Sequence, residues 1–345
     1  ADLSAVELAR EPPEPSGAVP LTRLTLDLRS RNFRAVRLSP AYATDGTVFA
    51  SYEDRTLAQT ALYRSTDRGQ TWTVFPAVAG GTALAVSPAF PVDRTVFFGR
   101  GDRVFKSTDA GATWTSYPVA DIDPITEIAV SPGYATDHTV YLTGFGGVRR
   151  SLDGGVNWTT MPTSAPAYDL AISPAYATDG TVWHTYRAIE SAGDDTPESA
   201  VVRTTNWGGT WSMATAGLPG VYEPFPYPVA VSPRYAADRT LFTALYGQFV
   251  AGTSHSLYRA LDGGAWWNDL GPAPGNPNVF ELAATGYGPL AVAAHLATDA
   301  GVWHYESLCE ERLTNGGFEV NGAGWQLPAT PATAAYSTKY AHTGQ

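Results

Sequence analysis

Ser107-Thr108-Asp109-Ala110-Gly111-Ala112-Thr113-Trp114 is the stretch that decides the fold of this chain. It recurs as Ser65-Thr66-Asp67-Arg68-Gly69-Gln70-Thr71-Trp72 and as Ser151-Leu152-Asp153-Gly154-Gly155-Val156-Asn157-Trp158. Looser copies are Thr204-Thr205-Asn206-Trp207-Gly208-Gly209-Thr210-Trp211 and Ala260-Leu261-Asp262-Gly263-Gly264-Ala265-Trp266-Trp267. The physics of this box is local. An Asp carboxylate accepts hydrogen bonds from backbone N–H groups a few residues on and closes a turn. The Gly two positions later takes a positive φ without strain. The Trp then re-enters a strand and is expected to bury its ring. Asn206 can close the fourth turn as Asp does. Asp67, Asp109, Asp153 and Asp262 are therefore expected to be structural, with Gly69, Gly111, Gly155, Gly208 and Gly264 and with Trp72, Trp114, Trp158, Trp211 and Trp267. A basic residue precedes every copy: Arg64, Lys106, Arg150, Arg203 and Arg259.

A second motif alternates with the box. It begins at Ser39-Pro40 and ends at Asp45-Gly46-Thr47-Val48, and it returns from Ser87, Ser131, Ser173 and Ser232. Each copy follows an alternating apolar run and precedes a β-branched or aromatic one, which reads as strand, turn, strand. Successive boxes start 42 to 56 residues apart, and a four-stranded blade needs about 40–45. Five boxes give five blades. A sixth is expected from 280–284, 289–294 and an eroded box at 297–303. Residues 21–28 alternate apolar and polar and are expected to supply the last strand that closes the ring.

The box resembles the Asp-box, or bacterial-neuraminidase repeat, over roughly residues 20–305. That repeat occurs in sialidases, xyloglucanases, sortilin-type receptors and photosystem II assembly factors. The resemblance implies an all-β chain, a β-propeller of six four-stranded blades. It says little about chemistry, because one fold hosts many functions. The expected organisation is a Pro-rich linker over 1–19, the propeller over 20–308 and a C-terminal segment over 309–345. In that segment Asn315-Gly316-Gly317-Phe318-Glu319 and Gly324-Trp325 resemble the opening of carbohydrate-binding-type jelly-roll modules of secreted bacterial proteins.

Composition agrees with many short strands: 34 Gly, 26 Pro and 12 % aromatic residues. Net charge is −11, with no basic run beyond Arg149-Arg150, so a nucleic-acid partner is not expected. One cysteine, Cys309, excludes an intrachain disulfide and a cysteine-based zinc cluster. The histidines show no metal-binding spacing, and neither metal nor cofactor is expected. No apolar run approaches the ~18 residues of a membrane span. The start at Ala1 reads as a processed or trimmed product.

Both motifs are expected on one face of the disc. The extra length lies on the other, in 184–198, in 217–228 and around 246–256. Function on repeat scaffolds usually lives in such insertions. Tyr222, Glu223, Phe225, Tyr227, Tyr186, Arg187, Tyr246 and His255 are the expected ligand contacts. Glu190, Asp194, Asp195, Glu198 and Glu223 could supply a carboxylate pair for glycoside hydrolysis, although a solvated acidic loop is the expected reading. Phe33-Arg34-Ala35-Val36 only half matches the first-arginine motif of sialidases, and the inner strands of the other blades read as apolar. The expected function is an extracellular or cell-surface bacterial propeller that binds or scaffolds, engaging glycan or a protein partner and carrying no catalytic residues. The alternatives are a sialidase- or xyloglucanase-type glycoside hydrolase and an assembly factor of a larger complex. Oligomeric state is not legible.

Overall fold

The computed structural model describes residues 32–54, 59–75, 81, 83–163, 166–187, 199–219, 228–249, 252–271, 279–287, 291–298 and 301–307. The chain divides into two compact units, Ala1–Glu306 and Ser307–Gln345. Of the second, only Ser307 is described. The linker over 1–19, the expected closing strand 21–28 and the segment 309–345 lie outside the described residues.

The described residues of the first unit form six sheets, each in simple chain order. Sheet 1 holds Asn32–Leu38, Val48–Asp54, Gln59–Ser65 and Thr73–Phe75. Sheet 2 holds Ala83–Val86, Val96–Arg100, Arg103–Ser107 and Thr115–Pro118. Sheet 3 holds Ile125–Val130, Val140–Gly144, Gly147–Ser151 and Thr159–Thr160. Sheet 4 holds Ala167–Ile172, Val182–Arg187, Ser199–Thr204 and Ser212–Met213, and sheet 5 holds Val229–Val231, Leu241–Phe249, Gly252–Ala260 and Asn268–Gly271. Sheet 6 has three described strands, Val279–Tyr287, Ala291–Thr298 and Gly301–Ser307. The first strand of each sheet lies against the first strand of the next, so the first strands form the inner layer.

The two motifs occupy the connections they were assigned. In sheets 1 to 5 the Ser-Pro motif joins the first strand to the second, and the box joins the third to the fourth. In an up-and-down sheet both connections leave from the same end, here called the turn face. Within each Ser-Pro motif the chain makes one helical turn, as in Tyr42–Asp45 and Tyr134–Asp137, that the sequence pattern did not reveal. The turn's Asp explains why. Asp137 accepts the Ser131 hydroxyl at 2.6 Å and the Thr139 N–H at 2.8 Å, which folds the chain back on itself. Asp45, Asp93, Asp179 and Asp238 do the same. Each Ser is buried, at no penalty because its hydroxyl is satisfied.

The boxes are closed by an equivalent network. Ser107 Oγ donates to Asp109 and accepts from the Gly111 N–H, while Asp109 accepts the Thr113 N–H and hydroxyl. Hydrogen bonding from Thr71 holds the Asp67 carboxyl down at about 2, and Thr113 does so for Asp109. Asp153 is also lowered to about 2, where its hydrogen bonds outweigh a partial burial that opposes them. Asn206 accepts from Thr204 Oγ1 and the Thr210 N–H. The indoles depart from expectation. Trp72, Trp114 and Trp211 are half-buried and donate to the carbonyls of Gly69, Gly111 and Gly208, whereas Trp267 is fully buried and donates to Ala214. A second departure concerns 297–303. Asp299 and Ala300 fall between the second and third strands of sheet 6, not between the third and fourth. The stretch therefore runs from the second strand of sheet 6 into the third, where the boxes of the other sheets join the third to the fourth.

Neighbouring sheets are joined in two ways. Aromatic rings of one second strand meet the first residue of the next helical turn edge-on: Phe49 with Phe90, Phe97 with Tyr134, Tyr141 with Tyr176, and Trp183 with Tyr235. The basic residue before a box reaches forward to the next one. Arg64 donates to the Ala110 carbonyl at 2.6 Å, Arg150 to that of Trp207, and Arg203 to that of Gly263 at 2.8 Å. The Lys106 ammonium lies 2.9 Å from where a Gly154 Cβ would stand.

Within a sheet, box and Ser-Pro turn are tied by one backbone bond: Arg68 N–H to Gly46, Ala110 to Arg94, Gly154 to His138, Trp207 to Gly180 and Gly263 to Arg239. All ten residues have positive φ. Each pair combines one large residue with one small, because the two side chains compete for one space. A Cβ on Gly180 would stand 2.8 Å from the Trp207 indole. Gly180→Ala is therefore expected to lower the urea midpoint, with a penalty of about 1–2 kcal/mol for strain and overlap. In a Trp207→Ala background the overlap part disappears and the penalty shrinks. A double-mutant cycle by equilibrium unfolding measures the difference.

Candidate functional site

The end of the sheets opposite the turn face carries the second-to-third-strand loops and the sheet-to-sheet connections. Half of the expected contacts there, Tyr222, Glu223, Phe225 and Tyr227, lie outside the described residues, as do Glu190, Asp194, Asp195 and Glu198. Tyr186 and Arg187 end the second strand of sheet 4, where Tyr186 pairs with Ala167 and Ala200 and is half-buried. Tyr246 and His255 face each other across the nine-residue hairpin of sheet 5. The two strands of this hairpin are longer than their counterparts in sheets 2 to 4.

The described residues bring together a different group. Glu127, Asp169 and Glu281 are each the third residue of a first strand, in sheets 3, 4 and 6. Arg37 of the sheet 1 first strand bridges two of them. It donates through one terminal nitrogen to Glu127 at 2.9 Å and through the other to Glu281. Four first strands converge here, so the cluster lies on the inner layer where sheets 1 and 6 meet sheet 3. A β-bulge explains the aim of these side chains. The ladder slips at Arg34 in sheet 1, at Thr126 in sheet 3, at Tyr168–Asp169 in sheet 4 and at Phe280 in sheet 6. A bulge interrupts the in–out alternation and redirects the residues that follow.

The electrostatics follow from enclosure. Burial pushes the Glu127 carboxyl up, against the pull of Arg37. Burial, then the nearby Glu127, push Asp169 up to about 8, although its oxygens accept the N–H groups of Leu170 at 2.8 Å and Val229 at 2.6 Å. Burial and mutual repulsion thus act on both acids in the same direction, towards the protonated form. The sequence reading of the inner strands as apolar is thus corrected at Glu127 and Asp169. Strict alternation assigned them no place, and only the bulges reveal where they point.

The residue before Asp169 belongs to an aromatic pair. Phe145 stands at the tip of the sheet 3 hairpin, 51 % exposed, with its ring 5.7 Å from that of Tyr168, the neighbour of Asp169. The tip is pinned. Buried Arg149 donates to the carbonyls of Gly146, Ala120 and Asp121, and a Cβ on Gly146 would overlap the Asp121 oxygen. An exposed ring on a fixed hairpin loses little entropy when it binds. Among the described residues no group of His, Cys, Asp or Glu is arranged to hold a metal ion, and no helix is long and apolar enough to cross a membrane.

No protein-family model matches the chain, and no curated protein sequence matches it. Solved structures do. The GH74 enzyme of Niastella koreensis superposes with a TM-score of 0.59 at 19 % identity, over 79 % of this chain and 45 % of its own. The GH74 xyloglucanase from Xanthomonas campestris gives 0.59 at 19 % identity, over 81 % and 45 %. This is a propeller-type fold. The hydrazine synthase of Kuenenia stuttgartiensis shares it at 14 % identity and a TM-score of 0.58, over 82 % of this chain and 78 % of that one. The chain spans less than half the length of the GH74 structures it matches. At such identities the likeness concerns the fold alone.

Titration of the two acid sets runs in opposite directions. The box carboxylates are depressed, so their stabilisation is present above the unfolded value and is lost as pH falls towards about 2. Asp169 is raised, so its contribution is full below the unfolded value and is lost as pH rises through its folded value. Urea midpoints measured from pH 5 to pH 8 are expected to fall with rising pH in the wild type. The slope should flatten in Asp169→Asn.

Proposed function

We propose that this chain is a six-bladed ring, closed by residues 21–28, that binds glycan on the face opposite the boxes without cleaving it. We further read it as an exported bacterial protein, secreted or displayed on the cell surface. The observation that carries the binding reading is the pinned, exposed Phe145 ring beside Tyr168, the residue before Asp169. Aromatic rings stack on sugar faces, and acids and amides supply hydrogen bonds to hydroxyls. Tyr222, Glu223, Phe225 and Tyr227, from the insertions read in the sequence, belong to this reading as further ligand contacts. The likeness to GH74 enzymes supports a glycan as the ligand class. Arg37 supports the non-catalytic reading, because it occupies both Glu127 and Glu281 and leaves neither as a free base.

Native affinity electrophoresis through gels holding xyloglucan, xylan or mixed-linkage glucan tests this. Wild-type protein should be retarded by at least one polymer, and Phe145→Ala with Tyr168→Ala should weaken that retardation by at least threefold. Retardation left unchanged by both changes would place the ligand elsewhere, and co-purification with a stoichiometric protein instead of glycan would favour a scaffold.

One observation favours a second reading. Asp169, pushed up to about 8 by burial and by the charge of Glu127, is the kind of raised acid that glycoside hydrolysis uses. Release of reducing ends from these polymers, abolished by Asp169→Asn or Glu127→Gln, would establish that reading and end the non-catalytic one.

A further inference from the structure

The two loosest boxes depart from the others by gaining tryptophan. Trp207 stands where the other boxes carry Arg68, Ala110, Gly154 and Gly263, and Trp266 stands where they carry Thr71, Thr113, Asn157 and Thr210. Trp207 shares the left-handed φ of Arg68 and Ala110 and fills the space opposite Gly180 as Arg68 does opposite Gly46, so the turn calls for bulk here but not for an indole. Trp266 gives up the side-chain bond that Thr113 and Asn157 make to their Asp, and Asp262 keeps only the N–H groups of Ala265 and Trp266.

Nor does either ring enter the core. Trp207 is 44 % exposed and Trp266 57 %. Both nevertheless lie against glycine. The Trp207 indole covers Gly180, and Trp266 approaches to 3.1 Å of where a Gly217 Cβ would stand. One face of each ring is thereby held by backbone while much of the ring stays in water. The boxes that carry them belong to neighbouring blades and are linked by Arg203, which donates to Gly263.

We propose that Trp207 and Trp266 form a second glycan-binding surface on the turn face of blades 4 and 5, which stacks on sugar rings of a polysaccharide. The surroundings choose this occupant over a protein. Thr205, Asn206 and Thr210 are exposed and polar in the Trp207 box, and Asp262, Asn268 and Asp269 are exposed and polar close in sequence to Trp266, so both rings stand in a hydrogen-bonding setting. A seated indole with polar neighbours suits the alternating apolar faces and hydroxyl edges of a sugar chain. This surface lies on the opposite face from Phe145 and does not depend on ligand binding there.

The test uses affinity gels of xyloglucan, xylan and mixed-linkage glucan with the whole chain. Trp207→Ala and Trp266→Ala should each weaken retardation by at least threefold in the same polymer, and the double variant should lose the turn-face contribution. Trp207→Phe should restore part of it, which separates a stacking role from a disturbed box. Phe145→Ala must leave this contribution in place. The proposal is overturned if the double variant, with an unchanged unfolding midpoint, is retarded like the wild type. It is equally overturned if all retardation vanishes with Phe145→Ala, which assigns binding to the loop face alone, if wild-type protein passes every gel freely, or if the two tryptophans prove necessary only for capture of a protein.

Discussion

Trp183→Ala is expected to destabilise the protein by about 3–5 kcal/mol, the range for removing a large buried aromatic. Trp183 is fully buried, its ring 4.8 Å from that of Tyr235 and nearly perpendicular to it. It belongs to the same core cluster as Leu241, Tyr258 and Trp267 of the next sheet. The lost ring therefore opens a void at a sheet-to-sheet interface and not within one sheet. Flanking side chains cannot collapse into it, because each sits on a strand fixed by its own ladder. Urea unfolding followed by fluorescence and by far-ultraviolet circular dichroism measures the cost. In a repeat fold the loss falls on one junction. Hydrogen exchange should accordingly accelerate most in sheets 4 and 5. A uniform acceleration through all sheets would show that the junctions do not act separately.

Arg37→Met is the second large effect, about 2–4 kcal/mol near neutral pH. Truncating one member of an enclosed ion cluster leaves its partners uncompensated. Glu127 is well enclosed and has no replacement cation among the described contacts, while Glu281 is 45 % exposed and can recover water. The expected value is therefore below that of a fully buried triad. The sign of the pH dependence separates this account from simple loss of packing. Glu127 is already pushed up by burial. As pH falls it takes a proton, and the penalty of Arg37→Met should shrink. A penalty that stays constant from pH 8 to pH 4 would mean that the methylene stem, and not the charge, is what matters. Arg37 also spans the first and last sheets, so the variant should loosen sheet 6 more than sheet 3.

The turns of this fold were legible because they are made within the chain. Asp109, Gly111 and Thr113 meet each other across four residues, and their identities alone state the geometry. The helical turn at Tyr134–Asp137 was missed because it is one turn long and carries no period. The axial acids were missed for another reason. Glu127 lies in Ile125-Thr126-Glu127-Ile128, and strict alternation pairs it with neither core nor solvent. Its place depends on a bulge at Thr126 and on an arginine ninety residues earlier, and no local rule joins them. Trp267 illustrates the same limit: its burial depends on Ala214 and Ala216 of the previous sheet. The aromatic contacts expected at 222–227 lie where the chain is not described.

The forward reach of Arg64, Arg150 and Arg203 gives the ring a sense of rotation. Every such link runs from an earlier box to a later one, so adjacent blades are not equivalent donors and acceptors. Shortening the chain from its beginning would strip a cation from the box that follows, whereas shortening it from the other end would leave every remaining box with its donor. The two kinds of deletion should therefore fray this protein unequally. A circular permutant that keeps the order of blades should keep every link except the one cut by its new ends.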